Sequence, residues 1–236
     1  MRIQKIGKLY QLTPRIFPVN CFVYERSNSL LVIDMGVKGF VEEILKLEKK
    51  TGKRATTLLL THAHGDHING VPAFRQCFPE AKIGISVRDK KIVDGDLSLF
   101  ADEAQKKIKG GIPKEPIPID FTFQPGEEID GLKVVACPGH TPGSVAFLSS
   151  EGLLIAGDAF QLSGEIAVAG IIRPFFPFPA LATWDAETAL VSAKALLELC
   201  PELLAVGHGS MLEHPSVEMS HAIEQAERRL KLEKNH

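Results

Sequence analysis

Cysteine is scarce in this chain: four residues in 236, with no Cys-x-x-Cys among them. Cys21, Cys77, Cys137 and Cys200 are dispersed, which argues against a disulfide scaffold and for free, mostly buried thiols in a reducing compartment. No excess of basic charge is present. The chain has 27 Lys and Arg against 29 Asp and Glu, a net charge of −2, so nothing marks a nucleic-acid partner or an anionic membrane surface. No run of about 18 apolar residues occurs, which excludes a membrane-spanning helix. Met1–Leu12 carries Arg2, Lys5 and Lys8 but no apolar stretch of the kind a secretory leader needs. The expectation is a cytoplasmic protein with a small-molecule substrate and neither nucleic acid nor membrane as a partner. The oligomeric state is left open.

What is present is an ordinary globular composition, 44% hydrophobic and 24% charged. At this length one large core is feasible and two are marginal, so residues 1–236 are expected to form a single domain. Alternation and apolar runs predict strands at Lys8–Leu12, Asn20–Glu25, Leu30–Ile33, Ala55–Leu60 and Lys82–Ser86. A helix is predicted over Lys38–Lys50, stopped by Gly52, and a short one over Asn69–Cys77. Val87–Gly111 reads as helix, its charges (Asp102, Glu103, Lys106, Lys107, Lys109) forming a solvated face. Ile112–Ile119 holds Pro113, Pro116 and Pro118 and must be extended. Strands follow at Ile119–Gln124 and Leu132–Cys137, then a hairpin of Ser144–Leu148 and Leu153–Ala156. Asp185–Leu199 and Pro215–Leu232 read as helices on either side of a last strand, Leu203–Val206. The pattern predicts strand-rich sheets covered by helices.

One stretch stands apart. Residues 61–67 read Thr-His-Ala-His-Gly-Asp-His, directly after the apolar run Thr57–Leu60. His62, His64, Asp66 and His67 are four nitrogen and oxygen donors at a strand end. Imidazole and carboxylate are the ligands of hydrolytic divalent-metal sites. The plain alternative is a polar loop of solvated histidines.

One loop cannot complete a two-metal site, because each metal needs at least three protein ligands. Three further strand ends offer a donor beside glycine. His140 lies in Cys137-Pro138-Gly139-His140, Asp158 in Ala156-Gly157-Asp158, and His208 in Val206-Gly207-His208. The preceding glycine permits close backbone approach. Singly, each is an ordinary loop residue; as a set they give seven donors. His214, His221 and His236 are read as non-ligands.

With these residues in order, the sequence resembles the metallo-β-lactamase superfamily, over most of its length. The resemblance implies an α+β fold, a four-layer αββα sandwich with the site at one edge between two sheets. It implies that His62, His64 and His140 hold a first metal, that Asp66, His67 and His208 hold a second, and that Asp158 bridges both. It also implies a second role for Asp66, orienting the nucleophile. Asp34, at a strand end, is either a hydrogen-bond partner of a ligand histidine or a simple turn residue.

The chemistry expected of such a pair is hydrolysis by a metal-bridging hydroxide, with no Ser or Cys nucleophile. Two divalent metal ions are therefore expected, zinc first. Because the donor set contains no thiolate, iron or manganese would fit it as well. Within the family, His67 points to the glyoxalase-II-like branch rather than to the commonest β-lactamases, which lack that histidine. His64 stands where diiron oxidoreductases carry Glu. Hydroxyacylglutathione hydrolases carry a basic helical region at the C-terminus, and only a single helix is predicted after His208. Homoserine-lactone lactonases place a Tyr shortly after the bridging Asp, and the two tyrosines here are Tyr10 and Tyr24.

The expectation is a metal-dependent hydrolase of small-molecule esters, thioesters or lactones. A mononuclear iron enzyme resembling persulfide dioxygenases and a catalytically silent metal-binding protein are the alternatives. The segment Ile171–Ala180 holds Phe175, Phe176 and Phe178 between prolines. It is read either as the apolar wall of a substrate pocket or as a rigid turn plugging the core. Arg173 is read as meeting a substrate carboxylate or, more simply, as a surface ion pair.

Overall fold

The computed structural model describes residues 1–174 and 176–234. The chain forms two compact units. The first comprises Met1–Gly95 with Gly111–Phe123, the second Asp96–Gly110 with the chain from Gln124 onward.

The first unit is built on a seven-stranded sheet in sequence order: β1 (Arg2–Ile6), β2 (Leu9–Thr13), β3 (Cys21–Glu25), β4 (Ser29–Ile33), β5 (Arg54–Leu59), β6 (Lys82–Ser86) and β7 (Phe121–Phe123). β1 to β4 form antiparallel neighbours; β4, β5, β6 and β7 run parallel. The parallel half reads as near-continuous apolar sequence because its strands are covered. Leu30 to Ile33 and Leu58 to Leu60 are fully buried.

Parallel strands need crossovers, and helices supply them. α1 (Phe40–Thr51) buries Phe40, Val41, Ile44 and Leu47, one helical stripe. It ends where Gly52 turns left-handed and donates its N–H to the Glu48 carbonyl. α2 (Gly65–Ile68) and α3 (Val71–Cys77) link β5 to β6, and α4 (Val87–Val93) follows β6. Ser86 caps α4, accepting a hydrogen bond from the Asp89 N–H. Asp34, Thr61 and Ser86 therefore all stand at the C-terminal ends of parallel strands, where open sheets present ligand sites.

The second unit carries a six-stranded sheet in the order β15-β14-β11-β10-β9-β8, made of β8 (Glu128–Ile129), β9 (Leu132–Ala136), β10 (Val145–Ser149), β11 (Leu153–Ile155), β14 (Leu203–Ala205) and β15 (Leu212–Glu213). β12 (Phe160–Gln161) and β13 (Ala167–Val168) form a separate ribbon. β9 is antiparallel to β10, β10 is antiparallel to β11, and β11 is parallel to β14. So β9, β11 and β14 point the same way and end on one edge. α5 (Phe178–Ala182), α6 (Ala186–Leu197) and α7 (Ser216–Lys234) complete the unit. α6 and α7 pack on each other, and Ala189, Ala193, Leu196, Met219, Ala222 and Ala226 share a core with Leu154 and Leu204. Each such leucine, fully buried, contributes about 1.5–3 kcal/mol. Among the described residues no helix is long and apolar enough to cross a membrane.

The main departure from the sequence reading is Val87–Gly111. Only Val87–Val93 is helical. Beyond Gly95, side chains hydrogen-bond the nearby backbone and so compete with helix formation. The Asp96 carboxylate accepts from the Ser98 N–H, and the Glu103 carboxylate accepts from the Phe100 N–H. The Gln105 amide donates to the Phe100 and Glu103 carbonyls. Lys106 is exposed, as the solvated reading has it, but off any helix, and its ammonium donates to Asp185 at 2.6 Å.

Candidate metal centre

The first unit gathers His62, His64, Asp66 and His67 in the turn that leaves β5. Three of the four are buried, and Asp66 is about a third exposed. The rings of His62 and His64 meet edge-on with centroids 4.9 Å apart, and those of His62 and His67 lie 4.2 Å apart. The loop is tied to the end of β4: the Met35 N–H donates to the His67 carbonyl and the Gly70 N–H to the Met35 carbonyl, both at 2.7 Å. This approach is possible only because residue 36 is glycine. A Cβ there would stand 1.6 Å from the Asp66 carbonyl oxygen.

Asp34 is the anchor of this loop. Its buried carboxylate accepts from the Thr61 N–H and Thr61 hydroxyl, both at 2.8 Å, and from His67 Nδ1 at 2.7 Å. A carboxylate only accepts, so His67 carries its proton on Nδ1. The Thr61 hydroxyl spends its one proton on Asp34, so it accepts from His62 Nδ1 at 3.0 Å. Both rings are thus held as Nδ1–H tautomers, and Nε2 is left as the electron-pair donor. Of the two sequence readings of Asp34, the structure has the hydrogen-bond partner. Asp89, which sequence reasoning missed, accepts from the Ala63 N–H at 2.8 Å, between two of the histidines. No spacing rule marks it.

The second unit gathers His140, Asp158 and His208, each at the C-terminal end of one of the co-directed strands. All three are buried. Asp158 Oδ2 lies 3.2 Å from His140 Nε2 and 3.3 Å from His208 Nε2. Gly139 lets the loop before His140 lie against α6: its φ is 136°, and a Cβ would stand 2.3 Å from the Ala189 Cα. His140 Nδ1 faces the Thr183 hydroxyl at 3.0 Å, and that hydroxyl donates to the Pro179 carbonyl at 2.8 Å. The same proton count applies. Thr183 accepts, so His140 carries a proton on Nδ1, and its Nε2 faces a carboxylate oxygen at 3.2 Å, a contact that holds only with a proton or a cation between the two atoms.

The residues fit a metal. Tetrahedral bonds of about 2.0–2.1 Å place neighbouring donors about 3.3–3.4 Å apart, which matches the spacings around Asp158. Fixed Nδ1–H tautomers are the arrangement that ligating histidines adopt. The donor set is nitrogen and oxygen throughout.

Other predicted residues fall as follows. The Phe176 ring is buried and lies 5.2 Å from the His208 ring. Phe178 meets Phe176 edge-on but is exposed at the start of α5. Phe175 lies outside the described residues. Arg173 donates to the Ile166 carbonyl and Gln225 and pairs with Glu165. His214 is exposed and 2.9 Å from Glu202, and His221 is exposed on α7.

The class defined by this fold and donor chemistry is a metal-dependent hydrolase of the α+β metallo-hydrolase type. Residues 14–208 match the model of the metallo-beta-lactamase superfamily, and the chain belongs to that family. It is 47% identical over 233 residues to the Bacillus subtilis (strain 168) protein YobT, covering 97% of this chain and all of YobT. It is 29% identical over 205 residues to hydroxyacylglutathione hydrolase GloC of Haemophilus influenzae, covering 82% of this chain and 87% of GloC. Among solved structures, TTHA1623 in a di-iron-bound form is 28% identical, with a TM-score of 0.64 over 87% of this chain and 95% of that one. The DIM-1 metallo-beta-lactamase, 15% identical, reaches 0.71 over 97% of each chain and shows the fold alone.

Proposed function

We propose that the chain is a dinuclear hydrolase of small-molecule esters, thioesters or lactones. His62, His64 and His140 would hold one divalent cation, Asp66, His67 and His208 the other, and Asp158 both. The observation that carries this reading is the convergence of three buried donors, with Asp158 Oδ2 3.2 Å from His140 Nε2 and 3.3 Å from His208 Nε2. When bound, the cations would activate a solvent molecule at neutral pH and polarise the scissile carbonyl. The chain's own residues do the rest. Asp34 orients His67 directly and His62 through Thr61, fixing both rings before any cation arrives. Asp66, the least buried of the donors, would accept a proton or a hydrogen bond from the attacking solvent. Phe176 packs its ring against His208 and supplies an apolar surface beside a donor, suited to the carbon skeleton of a small ester.

The relatives support hydrolysis. The hydroxyacylglutathione hydrolase GloC is matched over 87% of its own length, which supports a hydrolytic reading. The di-iron form of TTHA1623 supports two metals per chain and keeps iron beside zinc as the resident ion. Metal quantification on the purified protein, coupled to a panel of esters, lactones and thioesters, tests the proposal. Two metals per chain with metal-dependent turnover is the expected result. One iron per chain with oxygen-dependent turnover overturns it.

A further inference from the structure

We propose that Thr183 is a positioning residue for His140, acting by its hydroxyl and not by its shape. The inference rests on the reading above that His140 is a metal ligand. Thr183 lies 43 residues from His140, in the short stretch between α5 and α6, and both side chains are buried. Its hydroxyl is committed in two directions, donating to the Pro179 carbonyl and receiving the His140 Nδ1 proton. That commitment keeps a proton on His140 Nδ1 and sets the plane of its ring.

The main chain around Thr183 grips the same loop. The Trp184 N–H donates to the His140 carbonyl at 3.0 Å and the Asp185 N–H to the Gly139 carbonyl at 2.9 Å. From the α6 side, the Ser192 hydroxyl donates to the Pro138 carbonyl at 2.6 Å. The backbone of residues 138–140 is thus held independently of the Thr183 side chain, and of the hydroxyl's two bonds the one that bears on this loop is the bond to the imidazole. Nothing comparable is needed for packing, since a methyl group in place of the hydroxyl would fill the same space. Without the hydroxyl the ring would populate both tautomers and lose the acceptor that fixes its plane. Partners of this kind alter metal affinity by about 10–100-fold when removed.

The experiment compares Thr183→Val, which keeps the shape, with Thr183→Ser, which keeps the hydroxyl. Zn²⁺ affinity of the full chain is measured by competition with a chromophoric chelator. The hydrogen-bonded Nδ1–H of His140 is read from nitrogen NMR shifts of the metal-free protein, and metal-free thermal melting monitors folding. The expected result is Thr183→Ser close to the parent, and Thr183→Val about 10–100-fold weaker with the Nδ1–H signal of His140 lost. The reverse ranking, or parent-like affinity and tautomer in both variants, overturns the proposal. A parent-like Zn²⁺ affinity in His140→Ala would instead overturn the ligand assignment, and the tautomer measurement would still decide the role of Thr183.

Discussion

The two units reach a set of metal donors by opposite routes. In the first, four donors lie within six residues and hang from one turn, and a single carboxylate, Asp34, fixes two of the rings. In the second, three donors come from three strands spread between His140 and His208, and their common point is Asp158 itself. The orienting groups differ in charge as well. The proton of His67 goes to an anion, whereas the proton of His140 goes to a neutral hydroxyl backed by a carbonyl. An anionic partner raises the basicity of an imidazole more than a neutral one. The first set is therefore local and electrostatically reinforced; the second is topological and depends on strands keeping their places.

Substitutions can break this contrast, and Asp158→Ala should have the largest effect. It removes the one carboxylate shared by the second set, so metal content should fall and hydrolysis should be abolished. Elemental analysis beside ester turnover checks this, and near-normal turnover would refute the shared role. Asp34→Ala comes next. It strands three buried donors, costing about 1–3 kcal/mol for each, and should weaken Zn²⁺ binding about 10–100-fold. Denaturant unfolding of the metal-free protein separates the two losses.

Gly36→Ala should displace the loop at a cost above the roughly 1–3 kcal/mol of ordinary overpacking, because its Cβ would stand 1.6 Å from the Asp66 carbonyl oxygen. Its signature is selective: the first set should lose metal while His140, Asp158 and His208 keep their tautomers and spacing. Phe176→Leu should raise KM for apolar esters with kcat little changed, and an unchanged KM across the panel would remove Phe176 from the substrate wall.

Lys106→Met is the smallest perturbation. Burial pushes the Asp185 carboxyl up, but the bonds from Lys106 and Thr188 outweigh it and leave the carboxyl below its ordinary 3.8. The Asp185 bond raises Lys106 above its ordinary 10.5. The pair's contribution is thus present above pH 3.8 and lost as pH falls through the lowered Asp185 value. At the alkaline end it is present below pH 10.5 and lost as pH rises through the raised Lys106 value. Lys106 is 57% exposed, so solvent screening keeps the effect to about 0.2–1 kcal/mol. Urea midpoints of parent and variant should differ at pH 7 and converge as pH falls below 3.8 through the lowered Asp185 value.

The same contrast explains what the sequence made legible. A donor loop is contiguous, so Thr61–His67 could be read directly, and the strands and long helices followed from apolar periodicity. His140, Asp158 and His208 were visible only as an ordered set, since a Gly-His or Gly-Asp alone says little. Thr183 and Asp89 carry no local signal, because their roles depend on which loops the fold brings beside them. The helix read into Val87–Gly111 failed after Val93 because Asp96, Glu103 and Gln105 prefer local backbone bonds to a helical ladder. The aromatic stretch Ile171–Ala180 divided: Phe176 packs beside His208, while Phe178 faces solvent.

The common direction of β9, β11 and β14 has a consequence for the order of events during synthesis. Domains form from the N-terminus as the chain emerges, and pairings between distant segments come late. Thr61–His67 and its anchor Asp34 are all present once β5 and its turn have emerged. The second set waits for β14, which supplies the parallel neighbour of β11 and leads into the third imidazole. A chain halted before Leu203 would carry a finished first loop and only two donors of the second set.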